Sequence, residues 1–441
     1  MHPVAHSLFK GRHARLRRVR AAGTLAGFVI LSAAACRRDG ATVGGTGGAP
    51  GFAGGSGFDG SPGGSGGAGG AGGAGGADVE MGIDAGDAGA DADAGSKVDA
   101  NTQPDAGSKV DAGSTTDAGN GLVDAGPPTT LRAAAARTHR LIGAALGAAH
   151  LSEAAYAATA ATELDFATPE NEMKWETTEP AQGSFDFSGG DAIVAFAQAN
   201  DMKVKGHTLV WHSQLPDWVS NLTNATDLHD AMINHITQEV SHYRGQVIAW
   251  DVVNEAVADS GVGLRDDIFS ELLGAGYIDD AFKAARAADP AVLLVYNDYG
   301  AEGSGAKSDY VYNMVKGMLS RGVPINAVGL QMHTGPADSP SATAVAANMQ
   351  RLALLGLNVF VSEMDVQICT SDLNAQSARF HDIVADCAQA PLCLGVTVWG
   401  LTDKYSWLNG MTCATPQPLL FDDNYLPKPA HAGVMNAFLG L

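Results

Sequence analysis

The chain has 441 residues, 56 of them glycine, and 48 acidic against 27 basic side chains give a formal net charge of −21. Length alone suggests two or three domains, but the glycines crowd into the first third, so the foldable part is shorter. The acidity excludes nucleic acid as a partner class, since its binders present a basic patch, and suits an uncharged polymer such as a polysaccharide.

Residues 1–36 begin with basic side chains (Lys10, Arg12, Arg15, Arg17, Arg18, Arg20), continue in an apolar run over 21–35 and end at Cys36. This is the layout of an export signal peptide, too short for a spanning helix. Ala33, Ala34 and Ala35 before Cys36 resemble a bacterial lipoprotein cleavage site. Cys36 would then carry a lipid anchor and become the mature N-terminus; ordinary signal cleavage is the alternative. The expected location is accordingly outside the cell, as a cell-surface lipoprotein or a secreted protein. No other apolar stretch is long enough to span a bilayer.

Residues 37–130 are low in complexity: a Gly/Ala/Ser tract, then Asp-Ala-Gly triplets around Asp105, Asp111, Asp117 and Asp124. Such a segment has too little apolar surface to offset the entropy of ordering. It reads as a disordered, flexible linker holding a domain away from a membrane. Calcium binding is the weaker reading, because the nine-residue period of calcium β-rolls is missing.

From Leu131 to Leu441 apolar strands alternate with helical patterns. The strands are predicted at 141–145, 164–167, 203–210, 249–253, 293–297, 327–332, 358–362 and 395–399. The clearest helix starts at Thr226 or Asp227, with Leu228, Met232, Ile236 and Val240 spaced by four and Gly245 beyond its end; another spans 342–355. Eight strand–helix units in one stretch predict a single α/β domain, a (β/α)₈ TIM barrel. A doubly wound sheet is the alternative, but it usually carries a Gly-rich phosphate loop after its first strand, and 141–147 offers only scattered small residues. With Cys36 set aside, four cysteines remain. An even set in an exported chain reads as disulfides: Cys387 with its near neighbour Cys393, leaving Cys369 and Cys413, whose pairing stays open. A zinc site is the rival, with neither a CxxC spacing nor a neighbouring His to support it.

Polar and aromatic residues gather where the strands end, which in a parallel barrel is the catalytic face. The fourth strand, in WDVVNEA, ends at Asn254 and Glu255, an ionisable acid just past an apolar run. The other ends carry Glu170 to Trp175, His207 to His212, Asn297 to Tyr299, Gln331 to His333, Ser362 to Asp365, and Trp399 with Gly400. Two carboxylates on one face suit glycoside hydrolysis: one a neutral acid that protonates the leaving oxygen, the other ionised beside an oxocarbenium-like centre. Trp and Tyr offer flat surfaces for sugar rings. This chemistry calls for no metal and no cofactor.

TPENEMKW, GHTLVWHSQLPDW, WDVVNEA, LQMH, SEMD and VWGLTDKYSWLNG occur in the order and spacing of a known family. Across residues 131–441 the chain resembles the endo-1,4-β-xylanases of glycoside hydrolase family 10. The resemblance implies retaining, internal cleavage of xylan or xylo-oligosaccharides by a monomer. In it Glu255 matches the acid/base and Glu363 the nucleophile. Asn254 matches the ligand of the sugar 2-hydroxyl; His333, oriented by Asp365, matches the group that keeps the nucleophile ionised, and Gln331 belongs to the same cluster. Glu170, Asn171, Lys174, His207 and Trp211 match glycone-side ligands, with Trp399 and Trp407 as aromatic walls. Gln214 and Trp407 match residues that crowd the place of a hexose hydroxymethyl group. Asn297 and Tyr299 resemble aglycone-side contacts. Cys387–Cys393 fits a bridge seen in the family. SEMD departs from the family's usual TELD, though Ser362 keeps a hydroxyl and Met364 roughly the volume. A carbohydrate-binding module, frequent in relatives, is not expected.

Blander readings hold for some residues. His212 reads as a barrel-rim histidine, Trp175 and Trp250 as core, Asp298 as equally structural or functional, and Asp403 with Lys404 as an ion pair fixing the last loop. An inactive, tethered polysaccharide-binding barrel would have lost one catalytic carboxylate, and both are present. A hydrolase of the same mechanism acting on cello-oligosaccharides or aryl glycosides is the third reading.

Overall fold

The structure is a computed structural model describing residues 127–336, 340–369, 372–411 and 413–441. The export segment, Cys36 and nearly all of the predicted linker lie outside the described residues. Strands β1 (Leu141–Leu146), β2 (Phe166–Pro169), β3 (Lys203–Trp211), β4 (Ala249–Asn254), β5 (Leu293–Asp298), β6 (Ala327–Leu330), β7 (Asn358–Val366) and β8 (Cys393–Val398) form the barrel. Each pairs in parallel with the next, and β8 returns to β1, closing the ring. A two-residue stub, His333–Thr334, pairs with Asp365 and Val366 beyond the end of β6.

A parallel strand covered on both faces is a continuous apolar run rather than an alternation, and β2 and β4 are buried along their whole length. Side chains pointing inward pack Phe166, Ala249, Val295, Ala327 and Phe360 into the barrel interior, where the Phe166 and Phe360 rings stack at 5.9 Å. The larger core lies between the strands and the helices around them. There Gly206 admits the Trp250 indole: a Cβ on Gly206 would stand 2.2 Å from that ring.

The helix predicted from Thr226 or Asp227 runs Ala225–His242 and buries its stripe of Leu228, Met232, Ile236 and Val240. It starts slightly earlier because Asn224 caps it, its side chain accepting from the Thr226 and Asp227 N–H groups. The helix predicted over 342–355 runs Ala342–Ala353. The predicted second strand begins two residues late, since Leu164 still caps the preceding helix. The sixth stops at Leu330 instead of Met332, because Met332 turns to φ 68°, which no strand ladder accommodates.

Both disulfides form, Cys387–Cys393 and Cys369–Cys413. Asp403 and Lys404 do fix the last loop, but not by pairing with each other. Asp403 accepts from Lys428 Nζ at 2.7 Å and the Leu419 N–H at 2.8 Å, while Lys404 Nζ reaches Glu153 at 2.9 Å.

Candidate active site

Glu255 follows the last residue of β4 at φ 59°. Its backbone is pinned on both sides: its N–H donates to Asn297 O at 2.8 Å, and its carbonyl accepts from Arg265 Nε at 3.1 Å. Its carboxyl is 7% exposed and accepts from Gln331 Nε2 at 3.0 Å and Trp211 Nε1 at 2.8 Å. Burial pushes its pKa above the ordinary carboxylate value, and the negative charge of Glu363 adds to the rise, against the two hydrogen bonds and the charge of Lys307.

Glu363 lies within β7, 4% exposed. Asn297 Nδ2 donates to Oε1 at 2.5 Å, and His333 Nε2 stands 3.3 Å from Oε2. Burial alone would raise this carboxyl too. The His333 hydrogen bond and the fields of His207, His333 and Lys205 win instead and hold it at about 2. His333 owes its strength to Asp365, whose Oδ2 lies 2.8 Å from Nδ1 and also accepts from Trp407 Nε1 at 2.9 Å. Burial opposes charge on this imidazole, yet the two carboxylates carry its pKa well above the usual value. A protonated His333 donates from both nitrogens.

The two carboxyls are joined by an amide bridge. Asn254 Oδ1 accepts from Asn297 Nδ2 at 2.9 Å and Gln331 Nε2 at 3.2 Å. Those amides also hold Glu363 and Glu255, so strands β4, β5 and β7 and the segment after β6 meet at one point. Asn297, expected from the sequence as an aglycone-side contact, presents no exposed surface. It is fully buried beneath Glu363, with Ser362 Oγ donating to its Oδ1 at 2.6 Å. Its room comes from Gly329, where a Cβ would lie 2.1 Å from Asn297 Oδ1.

One wall of the site is the loop after β2. Lys174 Nζ donates to Asn171 Oδ1 at 2.9 Å and Gln214 Oε1 at 2.7 Å, and lies 5.0 Å from the Trp211 ring centre. Glu170 stands nearby with its pKa pushed up to about 7 by burial, Lys174 opposing and Glu172 reinforcing. His207, on β3, holds Asp251 Oδ2 through Nδ1 at 2.8 Å and turns its ring edge to Trp399 at 5.0 Å. Trp407 meets His333 edge-on at 5.1 Å. Across the site Tyr299 bonds Arg265 at 2.8 Å and Asp259, with Lys307 Nζ over its ring at 3.7 Å.

Trp175 and Trp250 are core, 2% and 1% exposed. Asp298 is structural: fully buried, it binds Lys307 Nζ at 2.8 Å and Tyr296 Oη at 2.5 Å. His212 makes no hydrogen bond through Nδ1 among the described residues, and burial, with Arg265 and Lys307 nearby, lowers its pKa to about 4. Sequence reasoning missed Lys205 and Asp251, a fully buried pair at 2.7 Å beneath His207. The signal was available for Asp251, which interrupts the apolar run of β4; β3 already carries Lys203, His207 and Thr208, so Lys205 does not stand out there. It also missed Arg265 and Glu302, which lie in loops with no periodicity to single them out.

The model of glycosyl hydrolase family 10 matches residues 130–437. The chain belongs to that family. Among its relatives, an endo-1,4-beta-xylanase of Agaricus bisporus is 38% identical over 307 residues, covering 68% of this chain and 91% of that protein. Native xylanase 10B of Thermotoga maritima superposes with a TM-score of 0.68 at 39% identity, over 70% of this chain and 98% of that one. Xylanase 10B of Thermotoga petrophila RKU-1, solved in complex with xylobiose, gives 0.69 at 37% identity over 71% and 98%. The family 10 match begins where the first described helix does, at Thr130 and Leu131, and takes in every residue of the site.

Proposed function

We propose that Glu255 is the acid/base and Glu363 the nucleophile of a retaining endo-1,4-β-xylanase. The observation that carries this reading is two buried carboxyls joined by one amide bridge, one facing the His333–Asp365 pair and the other facing the neutral donors Gln331 and Trp211. The His333 hydrogen bond and the neighbouring positive fields lower the Glu363 pKa to about 2, whereas burial raises that of Glu255. A pair of carboxyls driven apart in this way is the mark of an acid and a nucleophile working together. The relatives named as xylanases, one holding xylobiose, support xylan as the substrate.

In the first step a Glu363 oxygen bonds to the anomeric carbon as the glycosidic bond breaks, and the Glu255 proton goes to the departing oxygen. In the second, Glu255, now a carboxylate, takes a proton from water as that water bonds to the anomeric carbon and releases Glu363. Burial is the first cause of the raised Glu255 pKa and the charge of Glu363 a lesser one. Loss of that charge in the covalent intermediate still lowers the pKa and favours the base role. Asn254 sits on the amide bridge, where it can bond the sugar 2-hydroxyl. Glu170, Asn171, Lys174, His207 and Trp211 supply the glycone wall. Gln214 and Trp407 crowd out a hydroxymethyl group, and Tyr299 contributes on the aglycone side. The test is incubation with xylan and with carboxymethyl cellulose, resolving products by size and anomer. Internal cleavage of xylan with retained β-configuration is expected; inverted products would overturn the roles.

We further propose that the enzyme is exported and acts as a monomer, anchored through lipid on Cys36 with residues 37–130 as a tether. The basic and apolar pattern before Cys36 supports this. Labelled palmitate should enter the full-length protein and be lost in Cys36→Ala; absence of label in the intact protein would remove the anchor.

A further inference from the structure

Gln331 and His333 each serve one catalytic carboxyl, and a single residue separates them. That residue, Met332, is fully buried and held at φ 68°, a conformation that residues other than glycine avoid. The bend has a geometric consequence. Before it, Gln331 sits at the end of the β6 ladder and donates to Glu255; after it, the chain re-pairs alongside Asp365, and His333 reaches Glu363. The Met332 carbonyl accepts from the Asp365 N–H at 3.4 Å. Its N–H would be orphaned in the interior, but it donates to Glu302 Oε1 at 3.1 Å.

Glu302 is 5% exposed and lies in the loop after β5. The same oxygen, Oε1, also accepts from the Gly300 N–H at 3.0 Å. The loop is fastened from behind: Asn348 Nδ2 donates to the Ala301 and Glu302 carbonyls at 2.8 and 3.1 Å, and Arg351 Nε donates to Asn348 Oδ1 at 2.6 Å. A buried carboxylate is costly to place without a purpose, and this one touches neither catalytic carboxyl.

We propose that Glu302 is a positioning residue which grips the left-handed bend at Met332 and so aims Gln331 at Glu255 and His333 at Glu363 together. One oxygen thereby sets the donors of both catalytic carboxyls. Burial raises the Glu302 pKa, its backbone N–H donors and the charge of His333 opposing. The grip does not depend on that charge, since a neutral side chain with an oxygen at the Oε1 position accepts the same two bonds.

The inference rests on the roles proposed above, and its test separates the two. In the full-length enzyme, Glu302→Leu removes the acceptor. Turnover should fall by roughly 10²-fold, the scale of a misplacement of about 1 Å, with KM little changed because the glycone wall is untouched. Gln331 and His333 each lower the pKa of the carboxyl they serve, so both limbs of the pH profile of kcat/KM should move to higher pH. Glu302→Gln, which keeps an oxygen at the Oε1 position, should recover most of the turnover. A lowered Tm with unchanged turnover and unchanged limbs would reduce Glu302 to a structural residue and overturn the proposal. So would movement of one limb only, or equal damage from Gln and Leu. If Glu302→Leu does not fold, Glu302→Asp, which falls short of Met332, takes its place with the same expectations. The assignment of Glu363 is judged separately by Glu363→Ala: retained turnover there would sink the roles themselves, whatever Glu302 does.

Discussion

The site works because the residues around two identical side chains treat them differently. Both glutamates are buried, which favours the neutral acid in each case. Only Glu363 has a cationic donor, His333, against it; Glu255 has the neutral donors Gln331 and Trp211. If the proposed roles hold, the active form carries Glu363 ionised and Glu255 protonated, and activity should fall at low pH as Glu363 gains its proton and at higher pH as Glu255 loses its own. Trp211→Phe removes a hydrogen bond that stabilises the Glu255 anion, so the alkaline limb of kcat/KM should move to higher pH. A downward move would contradict the assigned direction. Glu255→Ala should slow substrates with poor leaving groups by about 10²–10⁴-fold more than activated aryl glycosides, which need no protonation. Equal losses on the two classes in steady-state assays would rule out the acid role.

At the scale of elements, the barrel brings these groups together by close approach of strands. β3 and β4 share the register Gly206 against Trp250, and the indole fills the space a side chain on Gly206 would need. Gly206→Ala should therefore lower stability by about 1–3 kcal/mol through overpacking, read as a reduced Tm, and should disturb His207 and Asp251, the next pair in the ladder. A Tm equal to that of the parent would show that the indole has room to move. Strands and their order were legible in the sequence because parallel barrel strands are apolar runs bounded by polar ends. Their terminal residues were less so: β6 stops at a backbone bend at Met332 that hydrophobicity does not encode. Asn297 was read as a sugar contact, and its burial was missed, for a related reason. Sequence places it at a strand end, but its direction depends on the space left by Gly329 on the neighbouring strand.

For the whole molecule, the two disulfides close loops of different length, with sequence separations of 44 for Cys369–Cys413 and 6 for Cys387–Cys393. In the chain-entropy model the longer loop stabilises by roughly 4 kcal/mol and the shorter by roughly 2 kcal/mol. Cys369→Ser with Cys413→Ser should thus lower the Tm more than Cys387→Ser with Cys393→Ser. The reverse order in calorimetry would point to structure retained in the unfolded chain. Cys369 follows β7, the strand of Glu363, and Cys413 follows the Trp407 loop, so the longer bridge ties those two segments together.

The sequence by itself determined the barrel, the strand order and the family, and it singled out Glu255 and Glu363 as the candidate pair, because hydrophobic periodicity and short motifs are local properties. It also singled out Asn254, Gln331, His333 and Asp365, each held by its motif next to a strand end. Only the tertiary structure supplied the physical cause that separates the two carboxyls: burial of both, with the His333–Asp365 pair against Glu363 and neutral donors against Glu255. It likewise revealed the amide bridge through Asn297, the buried Lys205–Asp251 pair beneath His207, and the bond from Glu302 to the bend at Met332. A pKa depends on burial and on charges brought from other strands. A bend needs a partner distant in the chain. Neither is a property of any stretch of sequence, and both arise only when eight strands close on one another.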